Sequence, residues 1–344
     1  MRILAFMNQK GGVAKTTTTV NLGAALAEMG ARVLLLDLDP QSHLTINYGV
    51  DTNDDRADLF DVICGDADFQ SAIRALDRNI AITPGSIDLA GAELQLAGRA
   101  DRTTILRTKM AAAVAAGKCD YDYVLIDCPP SLGLLTLNAL AVAGEVMIPM
   151  QPHFLAMQGM AKLLDTVRLV NKQINPRLRI GGIVLTMFDA QTKLSAEVVG
   201  ELEGFFEQSR GQSMPWSEAR VCRTKIRRNI KLAESPSFGQ PVLKYDSASN
   251  GATDYRALAR EVATMRAWPT GLDRTGTPLP PVKSLVERAI DAADRTSDRA
   301  EVRPEVRPEA TVNPSLDATR LTAARVGGAA TTTPPAPAPQ KLSS

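Results

Sequence analysis

Two lysines bracket a pair of glycines near the start of the chain, in Asn8-Gln9-Lys10-Gly11-Gly12-Val13-Ala14-Lys15-Thr16-Thr17. Residues of these types at this spacing can hold phosphate. Adjacent glycines let backbone N–H groups approach an anion closely, and a helix beginning near Thr16 adds unpaired donors and a partial positive charge. Lys15 can then reach the β- and γ-phosphates of a nucleotide, while the Thr16 hydroxyl can ligate Mg²⁺. The strict G-x-x-x-x-G-K-[ST] pattern fails twice, because Gln9 stands at its first glycine and Ala14 at its last. The Ala14 methyl group asks that this position avoid positive φ, which predicts an altered loop conformation or turnover.

Carboxylates follow two later apolar runs. Asp37-Leu38-Asp39-Pro40-Gln41 places two acids two residues apart, on one side of an extended strand and at its carboxyl end, where ligands sit in parallel α/β sheets. Asp39 can position water or metal; Asp37 and Asp39 can also serve as helix caps or solvated acids. Tyr123-Val124-Leu125-Ile126-Asp127-Cys128-Pro129-Pro130 is an apolar strand ending in an acid, the Walker B arrangement in which the carboxylate holds Mg²⁺ directly or through its water. His43 reads as a surface residue. Cys128 has no companion cysteines at ligand spacing, and Cys64, Cys119 and Cys222 are equally isolated, as in a reduced cytosolic protein.

A second cluster is basic. Arg220, Arg223, Lys225, Arg227, Arg228 and Lys231 are six cations in twelve residues, none of which is acidic. With no aromatic residue to stack on bases, the strip suits double-stranded DNA read by its phosphates alone, sequence-independently and with strong salt dependence. A solvated basic loop is the alternative.

These residues need a scaffold. Strand-like runs at Ile3–Met7, Val33–Leu36, Ile80–Thr83, Tyr123–Ile126, Val146–Met150 and Ile180–Met187 recur between helical patterns. Such alternation predicts an α/β fold with a mostly parallel central sheet flanked by helices, and continuously apolar runs predict strands buried on both faces. Val20, Ala24 and Ala27 predict one stripe of the helix after the phosphate loop, with Gly30 as its stop. Leu132–Met150 reads as a buried helix followed by a strand, not a membrane span.

The net charge is only +1, from 39 Lys+Arg against 38 Asp+Glu, which excludes a wholly basic nucleic-acid coat and an acidic disordered chain. All fifteen aromatic residues lie at or before Trp268, and eleven of the 21 prolines lie after it. The length of 344 residues therefore divides into a domain over 1–268 and a Pro-rich, disordered tail over 269–344. Within the tail, Val282, Leu285, Val286, Ile290 and Ala293 could form one face of a short helix near 282–293, and Glu301-Val-Arg-Pro repeats in tandem.

Taken together, Lys10-Gly11-Gly12-x-x-Lys15-Thr16, Asp37-x-Asp39-Pro40-Gln41 and Asp127-Cys128-Pro129-Pro130 resemble the deviant Walker A P-loop ATPases of the ParA/MinD family, closest to the Soj-like ParA group. Arg228-Asn229-Ile230-x-Leu232-x-Glu234-x-Pro236-Ser237 is similar to a further segment of that family, so the resemblance spans about residues 1–268. It implies an ATPase using ATP and Mg²⁺, weak alone and stimulated by a ParB-like activator or cargo adaptor. The family role of the first lysine, reaching across an ATP-dependent homodimer to the other subunit's phosphates, falls to Lys10. The resemblance further implies that Asp39 positions the attacking water, that Asn229 contacts adenine, and that Arg228 contacts nonspecific DNA. Family members usually have glycine at position 14, Gly-Asn at Ser42-His43, and proline at Arg227, a change that raises the positive charge of the strip. The function implied is chromosome or plasmid partitioning by a cytoplasmic, nucleoid-associated protein; a protein cargo such as a chemoreceptor cluster or microcompartment is the alternative. A MinD-like membrane switch fits less well, because the chain ends in Pro-Ala-Pro-Gln-Lys-Leu-Ser-Ser where that switch has an amphipathic helix.

Overall fold

The computed structural model describes residues 1–272 apart from 53, 154, 155 and 190. The expected helix near 282–293, the Glu-Val-Arg-Pro repeats and the rest of the tail lie outside the described residues.

Seven strands form one sheet: β1 Arg2–Phe6, β2 Val33–Asp37, β3 Arg74–Asp77, β4 Ile80–Thr83, β5 Tyr123–Asp127, β6 Glu145–Met150 and β7 Arg179–Leu185. Their order across the sheet is β3-β4-β2-β5-β1-β6-β7. All neighbours run parallel except β3, which pairs antiparallel with β4. The six expected runs are strands; β3 is the seventh. Its sequence, Arg74-Ala-Leu-Asp77, hides it, since an edge strand half-covered on its faces lacks the apolar run of a central strand.

Side chains alternate across β1. Ile3 and Ala5 join the core on one face, beneath the helices Ile105–Ala115, Leu134–Val142 and Ala156–Gln173, while Leu4 and Phe6 join the core on the other. The second face is covered by helix α1, Lys15–Glu28, and by the helix Asn250–Thr264. Helix α1 is buried on more than the expected stripe: Val20 is buried, but Leu22, Ala25 and Leu26 lie deeper than Ala24 and Ala27, because α1 is clasped by the sheet and by the Asn250–Thr264 helix. Gly30 follows the helix with φ 93°, where a side chain would be strained.

Packing continues past Trp268. The Gly271 N–H donates to the Val142 carbonyl at 2.9 Å, and Leu272 is buried in the core. Among the described residues no helix is long and apolar enough to cross a membrane.

Candidate functional site

Strand register assembles the site. In β5, Asp127 lies directly between Phe6 of β1 and Asp37 of β2, so the phosphate loop leaving β1 and the acids leaving β2 flank the same carboxylate. The loop is held from below: Asn8 is buried and donates through Nδ2 to the Pro149 carbonyl at 2.8 Å, its Oδ1 accepts the Lys10 N–H at 3.0 Å, and the Val13 carbonyl accepts the Thr186 hydroxyl at 3.0 Å. Gly11 and Gly12 are exposed, and a Cβ on either would meet no atom within 4 Å. The space above them is an open cradle. Lys15, the first residue of α1, is buried at the foot of the cradle.

Ala14 departs from expectation. It does not avoid positive φ but sits at φ 63°, ψ 36°, the left-handed conformation that glycine would take at less cost. The loop keeps its path because the helix start requires this turn: the Thr18 N–H bonds back to the Ala14 carbonyl at 3.0 Å. Ser42, another position where relatives usually have glycine, is likewise left-handed at φ 52°.

Side-chain oxygens meet at the end of β5. The Thr16 hydroxyl donates to Asp127 Oδ2 at 2.6 Å, and Thr19 approaches Oδ1 at 3.4 Å. Burial pushes the Asp127 carboxyl well above the usual range, and the neighbouring Asp37 carboxylate adds to the shift. Asp37 is also raised, again chiefly by burial, against the opposing pull of hydrogen bonds from Thr45. Asp39, buried beside them, accepts the Gln41 N–H through Oδ1 at 3.0 Å. Buried acids held this way are suited to receive a cation. Thr16, Asp39 and Asp127 offer oxygen only, the donor set of Mg²⁺; among the described residues no group of three or more His, Cys, Asp or Glu is placed to hold a metal ion.

Lys10 points elsewhere. It is exposed, and its ammonium meets Nε2 of His153. Burial, followed by the adjacent Lys10 charge, pulls the His153 pKa down. Sequence reasoning missed His153, which is 143 residues away and carries no motif.

The basic strip occupies the β7 edge. Cys222 and Ile226 are buried against the sheet, and the Cys222 and Ile226 N–H groups donate to the Ile183 and Leu185 carbonyls at 2.8 Å each. Arg220, Arg223 and Arg228 are exposed, and among the described residues none of the three forms an ion pair. Lys225 lies over the Phe188 ring, 4.6 Å from its centroid. Two cations differ from expectation. Arg227 does not add free charge: its side chain pairs with Asp254 at 2.7 Å, and its backbone N–H, which the family's proline would lack, donates to the same carboxylate at 3.0 Å. Lys231 pairs with Glu234 at 2.9 Å. The strip has no acids in its own twelve residues, but the fold delivers them from outside it. Asn229 uses its Oδ1 to accept the Lys231 N–H at 2.8 Å, which leaves the amide nitrogen as its side-chain donor.

A mostly parallel sheet with a glycine cradle running from β1 into α1, an acid ending β5 and a lysine on each side of the glycines defines a P-loop nucleotide-binding protein of the two-lysine kind. The AAA_31 family, described as an AAA domain, matches residues 1–180. The chain is 45% identical over 263 residues to the sporulation initiation inhibitor protein Soj of Bacillus subtilis (strain 168), covering 76% of this chain and 98% of that protein. It is 42% identical, over 76% of this chain and 94% of the relative, to the chromosome partitioning protein ParA of Caulobacter vibrioides. Among solved structures, cobyrinic acid a,c-diamide synthase from Mycobacterium smegmatis with bound ATP analog and magnesium matches with a TM-score of 0.64 at 37% identity, covering 81% of this chain and all of the other. The chain belongs to the ParA/Soj family of partitioning ATPases.

Proposed function

We propose that this protein is a ParA-type chromosome-partitioning ATPase that hydrolyses ATP to ADP and phosphate and switches its hold on DNA with the nucleotide. The observation that carries the reading is the Thr16–Asp127 hydrogen bond of 2.6 Å at the foot of the Lys10–Lys15 cradle, which brings the hydroxyl and carboxylate needed at a nucleotide's metal into one place. Lys15, with the backbone N–H groups of residues 11–17, binds and neutralises the phosphates. Asp39 orients the attacking water. Mg²⁺, held by Thr16 and by Asp127 and Asp39 directly or through water, supplies charge neutralisation on the phosphate oxygens. Asn229 contacts the adenine through its amide.

The exposed placement of Lys10 supports its action on the phosphates of a second copy, so that turnover is completed by an ATP-dependent homodimer. Arg220, Arg223, Lys225 and Arg228 bind double-stranded DNA without reading sequence, and a ParB-like activator stimulates hydrolysis and release. Such a protein works in the cytoplasm, on the nucleoid. Lys15→Ala is expected to abolish ATP-dependent retention on DNA, measured by co-sedimentation or biolayer interferometry; undiminished retention would overturn the nucleotide switch. A pull-down with ATP-loaded Asp39→Ala identifies the cargo: recovery of a DNA-bound ParB-like protein supports partitioning, and recovery of a receptor array or compartment shell in its place overturns it.

A further inference from the structure

The acid two residues before Asp39 has no part in the chemistry above, yet it is one of the most deeply buried charged groups in the chain. Asp37 is 0% exposed, and its Oδ1 has no hydrogen-bond partner. Its Oδ2 accepts two bonds from Thr45, from the backbone N–H at 2.8 Å and the hydroxyl at 2.6 Å. Thr45 lies in helix α2, His43–Asn47, which is one turn long and too short to hold itself together in water. Its own N-cap residue, Ser42, makes no side-chain capping bond, and the Ser42 hydroxyl is buried without a partner. The cap is instead supplied from eight residues upstream by a carboxylate whose burial is costly. A local serine cap would have ordered the helix more cheaply, so the remote cap serves something besides the helix.

What it closes is a loop that contains Asp39, two residues in from the Asp37 end. Asp37 and Thr45 fasten the two ends. Inside, the Ser42 N–H donates to the Asp39 carbonyl at 2.8 Å and the Gln41 N–H to the Asp39 carboxylate at 3.0 Å. A third segment bears on the fastening: the Gly85 N–H donates to the Thr45 hydroxyl at 3.1 Å, and a Cβ at Gly85 would stand 2.4 Å from the Asp37 carbonyl oxygen. Thr45 therefore uses its hydroxyl both ways, donating to Asp37 and accepting from Gly85, which fixes its rotamer. The end of β2, the start of α2 and the turn after β4 meet on one side chain.

We propose that Asp37 and Thr45 form a clamp that aims Asp39 at the attacking water, with both acting as positioning residues that touch neither nucleotide nor metal. The clamp rests on the hydrolytic role proposed for Asp39. A carboxylate orienting water must be held to within a fraction of an ångström, and misplacement of about 1 Å costs roughly 100-fold in rate. Nucleotide binding is carried mainly by Lys15 and the loop backbone, with Thr16 and Asp127 still in place for the metal, and is expected to survive loss of the clamp.

The test uses the full chain with saturating Mg²⁺ and ATP. Thr45→Val keeps the shape of the side chain and removes both hydroxyl bonds; Thr45→Ser keeps them. Turnover of Thr45→Val is expected to fall at least 10-fold, with its dissociation constant for a fluorescent ATP analogue within twofold of the parent, and Thr45→Ser to recover most of the rate. A parental rate for Thr45→Val overturns the clamp, as do affinity and rate falling together or a Thr45→Ser as slow as the valine variant. Should Thr45→Val not fold, Asp37→Asn is judged by the same split between rate and affinity. Asp39→Ala run in parallel separates the two ideas: if it turns over like the parent, the role of Asp39 has failed, whereas a dead Asp39→Ala beside a fully active Thr45→Val defeats the clamp alone.

Discussion

The phosphate loop and the basic strip are both short cationic segments, but the fold treats them in opposite ways. Around the loop, Lys10 is exposed, but Lys15 is buried at the start of α1, and the Thr16 hydroxyl meets Asp127 at the neighbouring strand end. On the strip, the cations sit on the segment that lines the β7 edge, and two are answered by acids outside their own twelve residues, Arg227 by Asp254, 27 residues on, and Lys231 by Glu234 at i+3. A site made from contiguous backbone announces itself in sequence. A surface potential does not, because its sum depends on what folding carries to it.

That contrast can be broken by experiment, most forcefully at the loop. Lys15→Ala removes a charge-assisted contact worth up to about 3 kcal/mol, so ATP affinity measured by calorimetry is expected to fall about 100-fold. On the strip, Arg228→Glu is expected to weaken DNA binding at every sequence tested and to lower the slope of log K against log salt by about 1, with ATP affinity unchanged. Arg227→Ala should do the reverse. Its half-exposed ion pair is worth only about 1 kcal/mol to folding, seen as a lower urea midpoint, while the salt slope stays within error of the parent. If Arg227 and Arg228 shift the salt slope equally, the distinction between paired and free cations falls. The smallest effect is at the loop's own backbone: Ala14→Gly relieves a left-handed alanine and is expected to add about 0.5 kcal/mol after the entropy of the extra glycine, a rise of about 1 °C in Tm.

The same division governs what sequence could tell. The positions of Lys15, Thr16 and Asp127 were legible because each stands at the end of an apolar run or the head of a helix, and Lys10, Gly11 and Gly12 because they fill the short loop between such a run and such a helix. The parallel sheet was legible because strands buried on both faces have no polar positions to hide them. Strand β3 was not, being an edge strand with mixed burial. Nor was His153, whose meeting with Lys10 depends on β1 and β6 being neighbours in the sheet. Ala14 was misread for a different reason: steric preference is a cost of about 1–2 kcal/mol, and a loop pinned at Asn8, Val13 and Thr18 can override it.

The register that sets Asp127 beside both Phe6 and Asp37 has a consequence for how such a chain can change over time. Successive side chains on a strand face opposite ways, so deleting one residue from β5 ahead of Asp127 would turn Asp127 away from Thr16 and present Cys128 in its place. A substitution elsewhere in β5 alters packing by degrees. A change in the strand's length removes the acid from the site in one step, so the spacing between elements is inherited information as binding as the identity of the residues, and insertions have only the loops in which to accumulate.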